Sequence, residues 1–157
     1  MSAKVTIVVL ALLNVAAGAV QASDFADGLQ AFDGGDYAEA ATHWQPLADR
    51  GDALAQVALA ELYLNGLGVA RDDQKAIELF RQAALQGHGL AQLNYAEFAA
   101  AGRGRPRDPV VAYTWYMIAA RQGVEVAEQR RLDLQKQLSA AEIAAAKAAA
   151  HALQTRQ

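Results

Sequence analysis

From residue 24 onward, apolar and small residues recur along the chain at spacings of three and four. Ala40, Trp44, Leu47 and Ala48 form one such set; Ala76, Phe80, Ala83 and Ala84 form the next; Ala112, Tyr116, Ala119 and Ala120 form a third. That spacing gathers side chains on one face of a helix, and no β-branched run of strand type interrupts it. The pattern predicts eight helices, near 24–33, 36–50, 52–65, 72–86, 88–101, 108–122, 124–137 and 140–155. Asp72 and Asp108 stand at helix starts, where a carboxylate accepts from orphan backbone N–H groups. Pro109 falls at a first helical position, where its missing N–H costs nothing. Ser139 and Glu142 make an S-x-x-E capping box ahead of an alanine-rich last helix. Pro46 is discordant: it lies inside the second helix and is expected to kink it.

The sets themselves repeat. Gly51, Gly87 and Gly123 are each 36 residues apart, and so are Asp36, Asp72 and Asp108, then Trp44, Phe80 and Tyr116. Alanine columns keep the same register: Ala40, Ala76, Ala112; Ala48, Ala84, Ala120; and Ala55, Ala91, Ala127. A fixed period of this size means stacked supersecondary units, none of which buries its apolar face alone. The glycines fall where helices end and are expected to take the left-handed conformation of a C-cap.

The first 22 residues stand apart. Lys4 is the only charge before Asp24, Val5 to Leu13 is almost wholly apolar, and Val20-Gln21-Ala22 follows. These features predict a secretory signal peptide with cleavage after Ala22, or after Ala19 as second choice. The alternative is an uncleaved anchor, but Val5 to Val20 falls short of the ~20 residues a spanning helix needs. Residues 23–157 are then one helical-repeat domain, with units at about 24–50, 52–86, 88–122 and 124–155. Removing Lys4 leaves 13 of the 14 basic residues against 17 acidic ones, a net charge of −4. That balance argues against a nucleic-acid partner. There is no cysteine, so packing alone must hold the fold, as a periplasmic protein without disulfides would require.

Ala55-x3-Leu59-Ala60-x2-Tyr63-x2-Gly66-x-Gly68-Val69-x2-Asp72-x2-Lys75-Ala76-x3-Phe80-x2-Ala83-Ala84-x2-Gly87 resembles the Sel-one-like repeat, a branch of the tetratricopeptide-like helical repeats. The next unit is similar through Ala91, Ala96, Gly102, Gly104, Asp108, Ala112, Tyr116, Ala119, Ala120 and Gly123, with Arg105 in place of the valine and Ala99 in place of the tyrosine. Gly28 to Ala40 is closer to a plain tetratricopeptide hairpin, and Val124 to Gln157 resembles a capping unit. The resemblance implies an all-α fold, a right-handed α-solenoid of antiparallel helix pairs with a C-terminal capping helix. It also implies an adaptor or scaffold that binds other proteins, or in bacteria sometimes the cell envelope.

Candidate chemistry is sparse. Gly66-x-Gly68 and Gly102-x-Gly104 follow helices and lack the lysine–serine ending of a phosphate loop, so they are turns. His43, His88 and His151 lack zinc-helix spacing, and without cysteine neither metal nor cofactor is expected. Ser23 and Ser139 offer no nucleophile–base arrangement, and the Asp72-Asp73 pair suits a helix start.

Setting aside the packing columns leaves an apolar strip on the first helix of each unit. It comprises Leu54, Val57, Glu61 and Leu64, then Leu90, Leu93, Glu97 and Ala100, with Phe25, Leu29 and Phe32 from the opening helix. By the orientation that the resemblance implies, this strip lines the concave side and suits an apolar peptide or partner helix. The competing expectation is a strip buried by curvature or by the last helix folding back. Arg103, Arg105 and Arg107 form the one concentrated positive charge, a solvated loop or a contact for an anionic partner. The leading expectation is therefore a non-catalytic periplasmic or secreted module with a protein or peptide partner. An envelope protein meeting peptidoglycan or another anionic polymer is the alternative. A β-lactamase-like hydrolase is disfavoured, because the relatives linked to β-lactams are cysteine-rich.

Overall fold

The computed structural model describes residues 24–155. The expected signal peptide and both cleavage points lie outside the described residues. The architecture is a row of helices: α1 (24–33), α2 (Tyr37–Asp49), α3 (Ala53–Asn65), α4 (Asp73–Leu85), α5 (Gly89–Ala101), α6 (Pro109–Arg121), α7 (Glu125–Gln135) and α8 (Ala140–Gln154). No strand occurs among the described residues. Each helix from α2 to α6 packs on the next in the row, and α8 packs on α6. This is an α-solenoid of helix pairs.

Predicted and observed helix ends agree to within two residues, and the offsets have one cause. Asp36, Asp72 and Asp108 stand outside their helices as caps, accepting from the N–H groups of Glu39, Lys75 and Val111. Asp52 and His88 cap α3 and α5 in the same way. The Ser139–Glu142 capping box is formed. Pro46 lies inside α2, which continues through it to Asp49. Its position is exposed and one turn from the helix end, where water can take the carbonyl it leaves unpaired.

Second helices end in one repeated motif. Gly51, Gly87 and Gly123 have φ of 90°, 91° and 87°. In each, the glycine N–H and the next N–H turn back to carbonyls of the last turn, as in Asp52 to Leu47 and His88 to Ala83, which is the Schellman arrangement. The first helices α3 and α5 end instead on Gly66 and Gly102, also left-handed. Gly68 (φ 65°) has a second reason to be glycine. A Cβ there would stand 2.3 Å from the backbone of Tyr37 and Ala38, so this loop sits directly on the start of α2.

The core follows the columns. Trp44, Phe80 and Tyr116 are all buried, as are Ala40, Ala76 and Ala112. Phe25 and Phe32, expected on the strip, instead lie against Trp44 with ring centroids 5.8 Å away, and the indole donates to the Phe25 carbonyl. They complete the core of the opening hairpin. At the other end α8 buries Ala146 and Ala150 and covers a second face of α6. Where α4 carries Glu78, Arg81 and Gln82, α6 therefore has Thr114, Met117 and Ile118, all buried.

Candidate functional site

The first helices present the strip in two tiers. Leu54 and Leu90 are 54% and 57% exposed, so neither curvature nor α8 covers them. Val126, one further pitch along, is 55% exposed and extends the row onto α7. Its signal was the 36-residue period itself, applied once more to Leu54 and Leu90. Val57, Leu64, Leu93 and Ala100 are half-buried and packed against the core, so they form the floor between the exposed leucines and the interior. Leu29 is exposed on α1, apart from its expected neighbours Phe25 and Phe32.

Glu61 and Glu97 lie on that floor, each half-buried and each linked to the next first helix. Asn94 Nδ2 donates to Glu61 Oε1 at 3.4 Å, and Arg130 Nε meets Glu97 Oε1 at 3.0 Å. Asn94 and Arg130 are themselves 36 residues apart, so one geometry carries two chemistries. Glu97 also neighbours Tyr116, whose hydroxyl is pushed well above its ordinary value, first by burial and then by that carboxylate. Among the described residues Glu61 has amide partners only, Asn65 and Asn94, and no cation.

Between α3 and α5 the floor deepens into a cleft of about 260 Å³ lined by Leu64, Asn94, Glu97, Phe98, Ala101 and Arg103. The fold thus brings one residue of the arginine loop to the end of the strip. Arg103 places its guanidinium over the Phe98 ring, 5.1 Å from the centroid, and reaches Asp73 at 3.0 Å. Asp73 also accepts from Arg71 at 3.0 and 3.2 Å. The Arg71 guanidinium, and then Arg103, hold the Asp73 carboxyl below the usual carboxylate range. Arg105 donates to the Tyr95 hydroxyl at 2.6 Å, and Arg107 to the Ala100 carbonyl and to Gln137. The loop is pinned by its own contacts, and Arg103 is the arginine of the three that lines the cleft.

Other candidate groups disperse. His88 Nδ1 is spent on the N-terminus of α5, and Asp72 on that of α4. Among the described residues no group of three or more His, Asp or Glu is placed to hold a metal ion. No described helix is long and apolar enough to cross a membrane.

A search of curated proteins finds no match. Among solved structures, c5321 of uropathogenic Escherichia coli, a protective antigen displaying an SLR fold, is similar with a TM-score of 0.79 and 26% identity over 85% of this chain. A Sel1 repeat protein from Oxalobacter formigenes is similar with a TM-score of 0.64 and 30% identity over 68% of this chain. The chain spans only 29% and 44% of those two proteins. The Sel1 repeat family model matches residues 53–88 and 89–124, which are the α3–α4 and α5–α6 hairpins with their Schellman turns. Repeats of this kind suggest a protein–protein interaction module. By sequence and by fold this chain is a Sel1-like repeat protein, with two Sel1 repeats at its centre.

Proposed function

We propose that the protein is an exported, non-catalytic interaction module of a bacterial periplasm, which docks a partner protein on its first-helix face. The observation that carries this reading is the row Leu54, Leu90 and Val126. Three apolar side chains, each more than half exposed, stand at one position of successive units. Water gains nothing from leucine there, whereas a partner that covers the row removes apolar area worth roughly 25 cal/mol per Å². The half-buried floor beneath it supplies a surface already shaped and rigid. Export is supported by Lys4, the apolar run and Val20-Gln21-Ala22.

Leu54→Glu with Leu90→Glu is the direct test, because both side chains are exposed and their replacement leaves the core alone. Partner binding should be lost with the melting temperature unchanged. Retained binding would remove the first-helix face from the reading. Val57→Glu and Leu93→Glu are poorer probes, since both side chains pack on the core. Mass spectrometry of the native protein should find a chain beginning at Ser23; a chain keeping Met1 would remove export by a cleaved signal.

A further inference from the structure

Two charges at the α3–α5 cleft are left incompletely neutralised, and they have opposite signs: Arg103 lines the cleft, and Glu61 stands behind its wall residue Asn94, which donates to it. Glu61 carries a carboxylate held only by the Asn65 and Asn94 amides, with no ion pair among the described residues. Its counterpart one pitch on, Glu97, is neutralised by Arg130 at 3.0 Å. At the other end Arg103 has to share the single carboxylate of Asp73 with Arg71, while 44% of the Arg103 side chain remains exposed. Leu64, Phe98 and Ala101 supply the apolar lining of the same cleft. A half-neutralised charge held in place by other contacts is a better recognition element than a free one, because little side-chain entropy remains to be lost.

We propose that this cleft is the specificity subsite of the docking face and takes an extended partner segment that presents a cation to Glu61, an apolar side chain to the Leu64–Phe98–Ala101 floor and a carboxylate to Arg103. The inference rests on the first-helix docking reading and names the partner's chemistry there. The volume, about 260 Å³, holds one side chain and its backbone, not a helix. An extended chain places every second side chain on one face, about 6.6 Å apart. The pattern cation–x–apolar–x–acid therefore puts all three groups on the cleft side, with the long end residues leaning inward. Asn94 lines the cleft, and its Oδ1, which accepts from no group among the described residues while Nδ2 donates to Glu61, suits a backbone N–H of the segment. Glu97 is already paired and forms a wall.

The experiment uses the purified protein and three peptides followed by NMR titration: acetyl-Lys-Ser-Leu-Ser-Glu-amide, its Lys/Lys relative and its Glu/Glu relative. The mixed peptide should bind about tenfold more tightly than either relative, since two half-exposed ion pairs each contribute modestly. Arg103→Glu should transfer the preference to the Lys/Lys peptide, and Glu61→Lys to the Glu/Glu peptide. If Arg103→Glu lowers the melting temperature, Arg103→Gln replaces it and should erase the preference for the acid end. Equal binding of all three peptides, or charge reversals that move no preference, would overturn the subsite. Loss of partner binding on Leu54→Glu with Leu90→Glu alongside that result would leave the docking face standing and the subsite refuted; if partner binding survived as well, the docking reading itself would fall.

Discussion

Gln92, fully buried, donates from Nε2 to the carbonyl of Ala84 at 3.2 Å and so ties the start of α5 to the end of α4. Gln56 does the same to Ala48 one pitch earlier, also at 3.2 Å. The two glutamines differ at their other atom. Gln56 Oε1 accepts from Gln86 at 2.9 Å, and its Nε2 also reaches Gln82, whereas Gln92 Oε1 has no partner among the described residues. Gln56→Met removes satisfied bonds and should cost about 1–2 kcal/mol; Gln92→Met also removes an unpaired buried oxygen and should cost less by about 1 kcal/mol. Chemical denaturation of both variants checks the order, and an equal or larger loss at Gln92 would contradict it.

Phe80 tests the core. It is fully buried, its ring 6.0 Å from that of Phe98 in the next unit, so it bridges α4 and α5. Phe80→Ala should cost about 3–5 kcal/mol. Because each unit leans on its neighbours, that loss should melt the centre of the stack rather than one helix. A loss below about 1 kcal/mol by denaturant titration would mean that the hairpins pack without it.

Gly68 and Gly51 separate conformation from contact. Both have positive φ, but a Cβ at Gly51 meets nothing within 4 Å, while at Gly68 it meets the α2 backbone. Gly51→Ala should cost about 1 kcal/mol for conformation alone. Gly68→Ala should cost more, because backbone has to move. Comparable melting temperatures for the two variants would refute the close loop–helix contact.

Acid should weaken the fold through named carboxylates. The Arg71 guanidinium above all lowers the Asp73 carboxyl, and the Ser139 hydroxyl above all lowers that of Glu142, from ordinary values of 3.8 and 4.5. A group lowered by folding contributes stability that is fully present above its ordinary value and is lost as pH falls through the folded one. The melting temperature should therefore be level from neutrality to about pH 5 and fall below about pH 4. Asp73→Asn should flatten part of that fall; an unchanged slope would show that the Arg71–Asp73–Arg103 contact contributes nothing.

Much of the fold was legible because its signals are local. Caps at Asp36, Asp72 and Asp108 and C-terminal glycines at Gly51, Gly87 and Gly123 mark helix ends with little help from distant residues. The site was legible only in part. Leu54 and Leu90 stood out as apolar residues outside the packing columns, but their depth relative to Val57 and Leu93 depends on how successive helices tilt, which spacing alone does not fix. Phe25 and Phe32 were misplaced because their helix pattern cannot distinguish an exposed face from one that closes on Trp44. Arg103 was visible as charge, yet its place over Phe98 and beside Leu64 arises from a loop reaching back to the preceding unit. The docking of α8 on α6 had a signal in Thr114, Met117 and Ile118, which stand where α4 carries Glu78, Arg81 and Gln82.

The central claim is that the first-helix face, not the outer face of the second helices, meets a partner. A photoreactive amino acid placed at Leu90, and separately at exposed Arg81 on α4, measures this in living cells of the host. Crosslinking at Leu90 should give one discrete adduct, lost on Leu54→Glu, while Arg81 gives none. A discrete adduct at Arg81 with nothing at Leu90 would contradict the account.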